Sequence, residues 1–227
     1  KNMTPPYPLA INVHGGGWQA GNKSTGMAAA DIPELNKRGY VVFSIDYRLA
    51  PTNKFPTFIG DVKCSIRHAR ALSAFYRINP NKIGIWGESA GGHLAALAGV
   101  ADSTAGLEGL SGYQNESSRV QAVVDYFGPS DLDLLADWQG KNTSTQRIVD
   151  AFGATPGSNA PNLINGSPIN HVTPDDPPFA IFHGVLDQTV APHQSQILYD
   201  ALVANGVTAQ LTFVQGARHD FDTTTNP

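Results

Sequence analysis

A short glycine-bounded turn constrains this chain more than any other feature of its sequence. The turn has the pattern G-x-S-x-G at residues 87–91, between an apolar, β-prone stretch (82–86) and a run of helix formers (93–98). A serine in a sharp strand–turn–helix connection projects its hydroxyl above the sheet. The backbone N–H of Ala90 opens the helix, where unpaired donors can face a developing oxyanion. The sequence therefore predicts a nucleophilic Ser89 and not an ordinary glycine-rich turn.

Apolar runs alternate with helical patterns along the chain at the spacing of βαβ units. We expect a helix broken at Pro33, and a long helix over 56–76 whose apolar stripe excludes Lys63, Arg67 and Arg70. The predicted fold class is α/β, a mostly parallel sheet with helices on both faces, in one domain of 227 residues. The predicted strands are 9–13, 40–47, 82–86, 120–127, 178–184 and 210–214.

The alternation weakens between Ser130 and His171, where two short helices are predicted at 131–138 and 145–152. Such a stretch within a regular α/β pattern is a candidate cap over a site, so we expect a small cap-like insertion at about 130–171. The sequence leaves open whether Trp138 and Phe152 line that cap or form its own small core.

A second glycine-rich loop follows the first predicted strand. His14-Gly15-Gly16-Gly17-Trp18 places three consecutive glycines where the backbone is free to turn its N–H groups toward a ligand. Loops of this H-G-G-G type supply the second part of an oxyanion hole. We expect Gly15 and Gly16 to act there with Ala90, and His14 to fix the loop by hydrogen bonds.

A nucleophilic serine needs a base to accept its proton and a carboxylate to orient that base. When the serine lies on such a turn, the acid and then the histidine follow it in the chain, each just past a strand end. Of the seven histidines, only His219 lies in a loop after the last predicted strand. Asp187 directly follows the penultimate predicted strand, whereas Asp175 and Asp176 precede that strand. The predicted catalytic residues are Ser89, Asp187 and His219.

Composition excludes several classes of function. A net charge of −4 gives no basic footprint for nucleic acid, and no apolar run is long enough to span a bilayer. We expect no metal or other cofactor, because neither a metal-spaced cluster nor a phosphate-binding loop is present. The only cysteine, Cys64, is predicted to be a small buried apolar residue. Five N-x-S/T sequons slightly favour secretion, and the oligomeric state is left open.

Four segments together, 14–18, 46–51, 87–95 and 167–187, resemble the α/β-hydrolase esterases, most of all the bifunctional feruloyl/acetyl-xylan esterase-like (BD-FAE) branch. The resemblance implies hydrolysis of carboxylic esters, either of small molecules or of acetylated or feruloylated plant polysaccharides. It assigns Ser89, Asp187 and His219 to the triad and Gly15, Gly16 and Ala90 to the oxyanion hole. The expected substrate contacts are Trp18, Glu88 and Phe127.

Two departures from the family pattern lie at the chain ends. Only eight residues precede Leu9, and eight follow His219. We therefore expect the usual first strands and last helix of the fold to be lacking. Two alternative functions stay open: an arylformamidase-like amidase of the same fold, and a non-catalytic binding protein, which the presence of all three triad residues disfavours.

Overall fold

The computed structural model describes residues 4–26, 28–137 and 143–221. Six strands form a single sheet in the order β2-β1-β3-β4-β5-β6, and every neighbouring pair is parallel. The predicted parallel α/β architecture is thus confirmed. The strands are β1 (Tyr7–Val13), β2 (Val41–Ile45), β3 (Ile78–Glu88), β4 (Ala122–Tyr126), β5 (Phe179–Gly184) and β6 (Ala209–Val214).

Helices connect these strands and cover both faces of the sheet. No helix of the described ranges is long and apolar enough to cross a membrane. The helices are α1 (Ala28–Lys37), α2 (Thr57–Ala71), α3 (Ser73–Tyr76), α4 (Ala90–Val100), α5 (Thr143–Phe152), α6 (Pro161–Gly166) and α7 (Pro192–Ala204). Three 3₁₀ turns lie at Ser103–Ala105, Leu134–Asp137 and Pro168–His171.

The hydrophobic core is divided unequally by the sheet. The larger cluster joins the strands to α2, α4 and α7, with Phe58, Leu94 and Leu198 among its fully buried members. The smaller cluster is built on Ala10 and Trp86, with side chains of α1 packed against it. Burial of apolar side chains on both faces is the expected state for a parallel sheet.

Two helix predictions are corrected. The helix expected to break at Pro33 runs without interruption from Ala28 to Lys37, with Pro33 inside it. Proline has no N–H to donate, so its cost to this helix is one missing backbone hydrogen bond. The long helix predicted over 56–76 divides at Leu72 into α2 and α3. Residues 161–171, for which no element was predicted, form α6 and a 3₁₀ turn.

The basic side chains expected off the apolar stripe of α2 are mostly inside the protein. Lys63 and Arg67 are each 1% exposed, and both form ion pairs with Glu108. Nζ of Lys63 also donates to the carbonyl of Ala101, and the Arg67 guanidinium donates to that of Ser111. Buried charge is tolerated here because each cation has several acceptors on the loop that covers it. 

Arg70 similarly reaches backbone carbonyls of Pro80 and Arg119. Cys64, between these basic residues, is only half-buried.

The stretch proposed as a cap packs on the main domain. Ile148 and Phe152 of α5 and Leu163 of α6 are fully buried in the larger cluster. The ring of Phe152 meets those of Phe55 and Phe58, with centroids 5.3 and 5.5 Å away. Of the two aromatic residues considered for the cap, Phe152 therefore belongs to the domain core, and Trp138 lies outside the described residues.

Candidate active site

Ser89 occupies the connection between the end of β3 and the start of α4. Its backbone has φ 53° and ψ −119°, an unusual conformation for a residue with a side chain, and its N–H donates to the carbonyl of Tyr126 at 2.9 Å. Position 91 requires glycine because the backbone of β1 comes close to it: a Cβ there would lie 2.0 Å from the carbonyl oxygen of Val13. The strand–turn–helix predicted from the sequence is confirmed.

Three side chains far apart in sequence form a continuous hydrogen-bonded chain at the carboxyl end of the sheet. Nε2 of His219 lies 2.9 Å from Oγ of Ser89, and Nδ1 of His219 lies 2.7 Å from Oδ2 of Asp187. The Asp187 side chain is wholly buried, whereas that of His219 is 23% exposed. The structure thus brings together the three residues that the sequence selected.

The carboxylate of Asp187 accepts four hydrogen bonds. Backbone N–H groups of Thr189 and Val190 donate to Oδ1 at 2.7 and 3.0 Å. The imidazoles of His183 and His219 donate to Oδ2 at 3.1 and 2.7 Å. Burial alone raises the pKa of Asp187, but the hydrogen bonds from the two histidines outweigh it and hold this pKa well below its usual range. Asp187 is therefore an anion throughout the neutral pH range.

The glycine-rich loop after β1 lies against the serine. A Cβ built on Gly15 would lie 3.6 Å from Cβ of Ser89, and Gly16 has a φ of +110° that favours glycine. Nδ1 of His14 donates to the carbonyl of Gly15 at 2.7 Å, and the ring stacks on that of Tyr47 with centroids 4.3 Å apart. Burial lowers the pKa of His14, so the ring is neutral and fixes the loop, as predicted.

A cavity of about 630 Å³ opens in front of Ser89. Glu88 and Phe127, two of the expected substrate contacts, line it, and Arg147 of α5 forms part of its wall. Sequence analysis did not identify Arg147 as a site residue, because the helical pattern around α5 is weak. The remaining lining residues include Gly15, Gly16, Gly17, Thr25, Thr189, His219 and Asp220.

No group of three or more His, Cys, Asp or Glu side chains in the described segments is arranged to hold a metal ion.

Trp18, the third expected substrate contact, is not part of that cavity wall. Its indole is 4% exposed, and Nε1 donates to Nδ1 of His93 at 3.2 Å. Burial lowers the pKa of His93 to about 4, so this imidazole is neutral and accepts the bond. Trp18 instead lines a separate recess of about 20 Å³ on which Ser89 and Ala90 also border. The structure therefore moves Trp18 from the open cavity to a small pocket beside the serine.

Residues 1–202 match the model of the BD-FAE family, a range that includes Ser89 and Asp187. This chain belongs to the BD-FAE family. The α/β-hydrolase fold that the sequence motifs implied is thereby confirmed, and the hydrogen-bonded chain from Ser89 in this BD-FAE chain extends beyond the matched range to His219.

Known proteins similar to this BD-FAE chain are named as ester hydrolases. The probable carboxylic ester hydrolase LipM of Mycobacterium tuberculosis is 32% identical over 225 residues, covering 97% of this chain and 51% of LipM. A truncated carbohydrate esterase from gut microbiota is 34% identical, with a TM-score of 0.87 over 98% of this chain and 83% of that one. An acetyl ester-xyloside bifunctional hydrolase from Caldicellulosiruptor lactoaceticus is 26% identical, with a TM-score of 0.82 over 100% and 79%. The chain spans about half the length of the curated relatives that match it over nearly its whole length.

Proposed function

We propose that this protein is a carboxylic ester hydrolase that uses Ser89 as a nucleophile and passes through an acyl-enzyme. One observation carries the proposal: the unbroken chain of hydrogen bonds from Ser89 through His219 to Asp187. This arrangement has the nucleophile–base–acid geometry of serine hydrolases. The ester-hydrolase names of its relatives support the same reaction class.

In the first half of the proposed reaction, Oγ of Ser89 attacks the ester carbonyl carbon while Nε2 of His219 accepts the hydroxyl proton. Asp187 fixes the tautomer of His219 and stabilises the imidazolium that forms. Backbone N–H groups of Ala90, Gly15 and Gly16 bind the oxyanion of the tetrahedral intermediate, since they flank the serine. Collapse of that intermediate breaks the ester C–O bond, and the alcohol leaves with the proton from His219.

The second half reverses these roles with water. His219 accepts a proton from a water molecule, whose oxygen attacks the acyl carbon bound to Ser89. The same N–H groups bind the second oxyanion. Collapse returns the proton to Oγ of Ser89 and releases the carboxylic acid.

The two spaces beside Ser89 support a short acyl group and a larger alcohol. The recess of about 20 Å³ at Ala90 and Trp18 has room for little more than a methyl group or a water molecule. The cavity of about 630 Å³ has room for a sugar unit on the alcohol side. We therefore assign acetyl esters, free or on a polysaccharide, as the substrate class, ahead of feruloyl esters whose aromatic acyl group exceeds the recess.

We also propose that residues 130–171 are a cap-like insertion within one α/β-hydrolase domain. Support comes from α5, where Arg147 borders the cavity while Ile148 is anchored in the core. A segment held in this way is suited to shape the alcohol side of the site.

The test is hydrolysis of p-nitrophenyl acetate, butyrate and octanoate, and release of acetate from acetylated xylan. We expect the acetate ester to be preferred and the Ser89→Ala variant to lose at least about 10³-fold in kcat. Ser103→Ala, an exposed serine on a 3₁₀ turn, is the matched control and should retain full activity. Covalent labelling of Ser89 by a fluorophosphonate, located by mass spectrometry, reports the nucleophile independently of the substrate. Equal hydrolysis by the native protein and Ser89→Ala would contradict the proposal.

A further inference from the structure

His183 is a buried histidine in contact with the acid of the triad. It lies at the end of β5, directly before Gly184, and is 0% exposed. Nε2 lies 3.1 Å from Oδ2 of Asp187 and 3.0 Å from the carbonyl oxygen of Val190. Nδ1 lies 2.6 Å from Oγ of Ser195, itself fully buried on α7. Both ring nitrogens therefore have protein partners.

The partners of His183 determine where its proton lies. A carboxylate oxygen and a carbonyl oxygen are both acceptors, so Nε2 must carry a hydrogen and donate to them. With the hydrogen on Nε2, Nδ1 is available as an acceptor, and the hydroxyl of Ser195 supplies the donor at 2.6 Å. Ser195 thus selects the tautomer that directs an N–H at Asp187.

We propose that His183 is a positioning residue, held by Ser195, that fixes Oδ2 of Asp187 in the orientation needed by His219. This inference rests on the proposed function, because it assigns a role in the proton transfer between Ser89 and His219.

The geometry at the carboxylate explains why a second imidazole is needed. The backbone donors of Thr189 and Val190 both bind Oδ1, so they anchor one oxygen and leave the other free to pivot about it. His183 approaches Oδ2 beside His219 and removes that freedom. A carboxylate locked at both oxygens presents one fixed acceptor to the base, and preorganisation of this kind is what lowers a catalytic barrier.

The surroundings of His183 separate it from the cavity. The charged groups that face it are Asp187 and the buried Asp125 on the neighbouring strand β4. The ring of Phe127 packs beside it, with centroids 6.3 Å apart. The imidazole lies outside the set of residues that border the cavity, so substrate does not reach it. Its effect on the reaction is transmitted through Asp187.

Two substitutions of His183 distinguish the effect of losing the N–H donor from the effect of losing the ring. His183→Leu removes the donor, and His183→Gln places an amide N–H near the position of Nε2. We expect His183→Leu to lower kcat for p-nitrophenyl acetate about 10- to 100-fold with little change in KM, since a hydrogen bond to a charged group is lost. His183→Gln should recover most of that loss. His68→Leu, a half-buried imidazole that bonds to Tyr76 away from the cavity, is the control for a generic histidine-to-leucine change.

The rate of fluorophosphonate labelling of Ser89 distinguishes this proposal from the one on which it rests. If the native protein is not labelled, the serine mechanism is wrong. If the native protein is labelled and His183→Leu is labelled equally fast, with unchanged kcat, the positioning role is wrong. A His183→Gln variant as slow as His183→Leu would equally overturn it. Should His183→Leu fail to fold, Ser195→Ala provides the same test, with a smaller expected loss of about 3- to 10-fold in kcat.

Discussion

The ring of Phe127 packs on the imidazole of His219, with centroids 4.7 Å apart and the two planes inclined at 55°. Phe127 follows the end of β4 in a left-handed conformation with φ 47°. Its N–H donates to the carbonyl of Phe182 at 2.8 Å, which holds the strained residue in place. The ring is 2% exposed and forms a firm wall on one side of the base. Strain of this kind persists only where surrounding contacts enforce it, and here it is found beside the proposed catalytic histidine.

Replacement of that ring should loosen His219. We expect Phe127→Leu to lower kcat for p-nitrophenyl acetate about tenfold with little change in KM, because misplacement of the base weakens proton transfer. Steady-state kinetics at pH 8 measures the effect. Phe75→Leu, on a side chain that is 79% exposed, is the control and should behave like the native protein. An unchanged kcat in Phe127→Leu would show that the other contacts suffice to hold His219.

Asp187→Asn should abolish most activity without removing any side-chain volume. Its amide oxygen can still accept from Thr189 and Val190, which turns the NH₂ group toward His219. That group cannot accept from Nδ1, so His219 is driven to the tautomer that cannot take the serine proton. We expect kcat to fall by about 10³- to 10⁴-fold.

The control for this change is Asp175→Asn. Asp175 pairs with Arg119 before β5, on an exposed part of the chain. Its substitution should leave kcat within twofold of the native value, since surface ion pairs contribute little. Equal losses in the two variants would remove Asp187 from the mechanism.

The size of the recess beside Ser89 predicts a route to altered chain-length preference. Leu135 borders this recess and is 7% exposed. Leu135→Ala should enlarge it and raise the butyrate-to-acetate ratio of kcat/KM about tenfold or more, since each methylene accommodated is worth about 1 kcal/mol or more. Leu134→Ala, the neighbouring side chain that is 51% exposed, should leave the ratio unchanged. If both variants keep the native ratio, the acyl group binds elsewhere.

The buried carboxylate of Asp125 should make the stability of the folded protein depend on pH. Its carboxylate is fully enclosed, Oδ1 accepts from the N–H of Gly128 at 2.9 Å, and Oδ2 has no hydrogen-bond partner among the described residues. Burial raises the pKa of Asp125 from 3.8 to about 6. A raised pKa in the folded state means that protonation of Asp125 favours folding. The stability that this proton contributes is fully present below pH 3.8 and is lost as the pH rises through 6.

The difference in unfolding free energy between the native protein and Asp125→Asn isolates this effect. We expect the native protein to lose roughly 2 kcal/mol relative to the variant between pH 4 and pH 7, at about 1.4 kcal/mol for each unit of pKa shift, since part of the effect lies below pH 4. Urea unfolding at intervals of half a pH unit measures the difference. A difference that is constant with pH would mean that Asp125 has an ordinary pKa.

Much of the candidate site was predictable because its signals are local. The turn at Ser89 and the loop at Gly16 depend on backbone conformations that only a few residue types allow. Asp187 and His219 were selected by chain order, since parallel strands bring their carboxyl ends to one edge of the sheet. These predictions required no knowledge of which side chains pack together.

Long-range contacts account for what the sequence analysis missed. Periodicity placed Lys63 and Arg67 off the apolar stripe of α2, yet a loop some 40 residues later supplies Glu108 and several carbonyls that bury both. The sequence also did not indicate that His93 would supply an acceptor that holds the indole of Trp18 in the recess beside Ser89, away from the wall of the open cavity. Whether such a partner is present depends on the whole fold.

The sequence by itself determined the parallel α/β architecture, the sharp turn at Ser89 and the choice of Ser89, Asp187 and His219 as the candidate triad, because steric limits on the backbone and strand order act through neighbours in the chain. Only the tertiary structure decided how these three side chains are held. Ser195 of α7 bonds to His183 of β5, twelve residues earlier, and His183 in turn bonds to Asp187, because β5 and α7 pack together. The ring of Phe127, just after β4, packs on His219. Hydrogen bonds and ring contacts are sensitive to changes in distance of a few tenths of an ångström. Such distances are set by packing and leave no periodic pattern in a sequence.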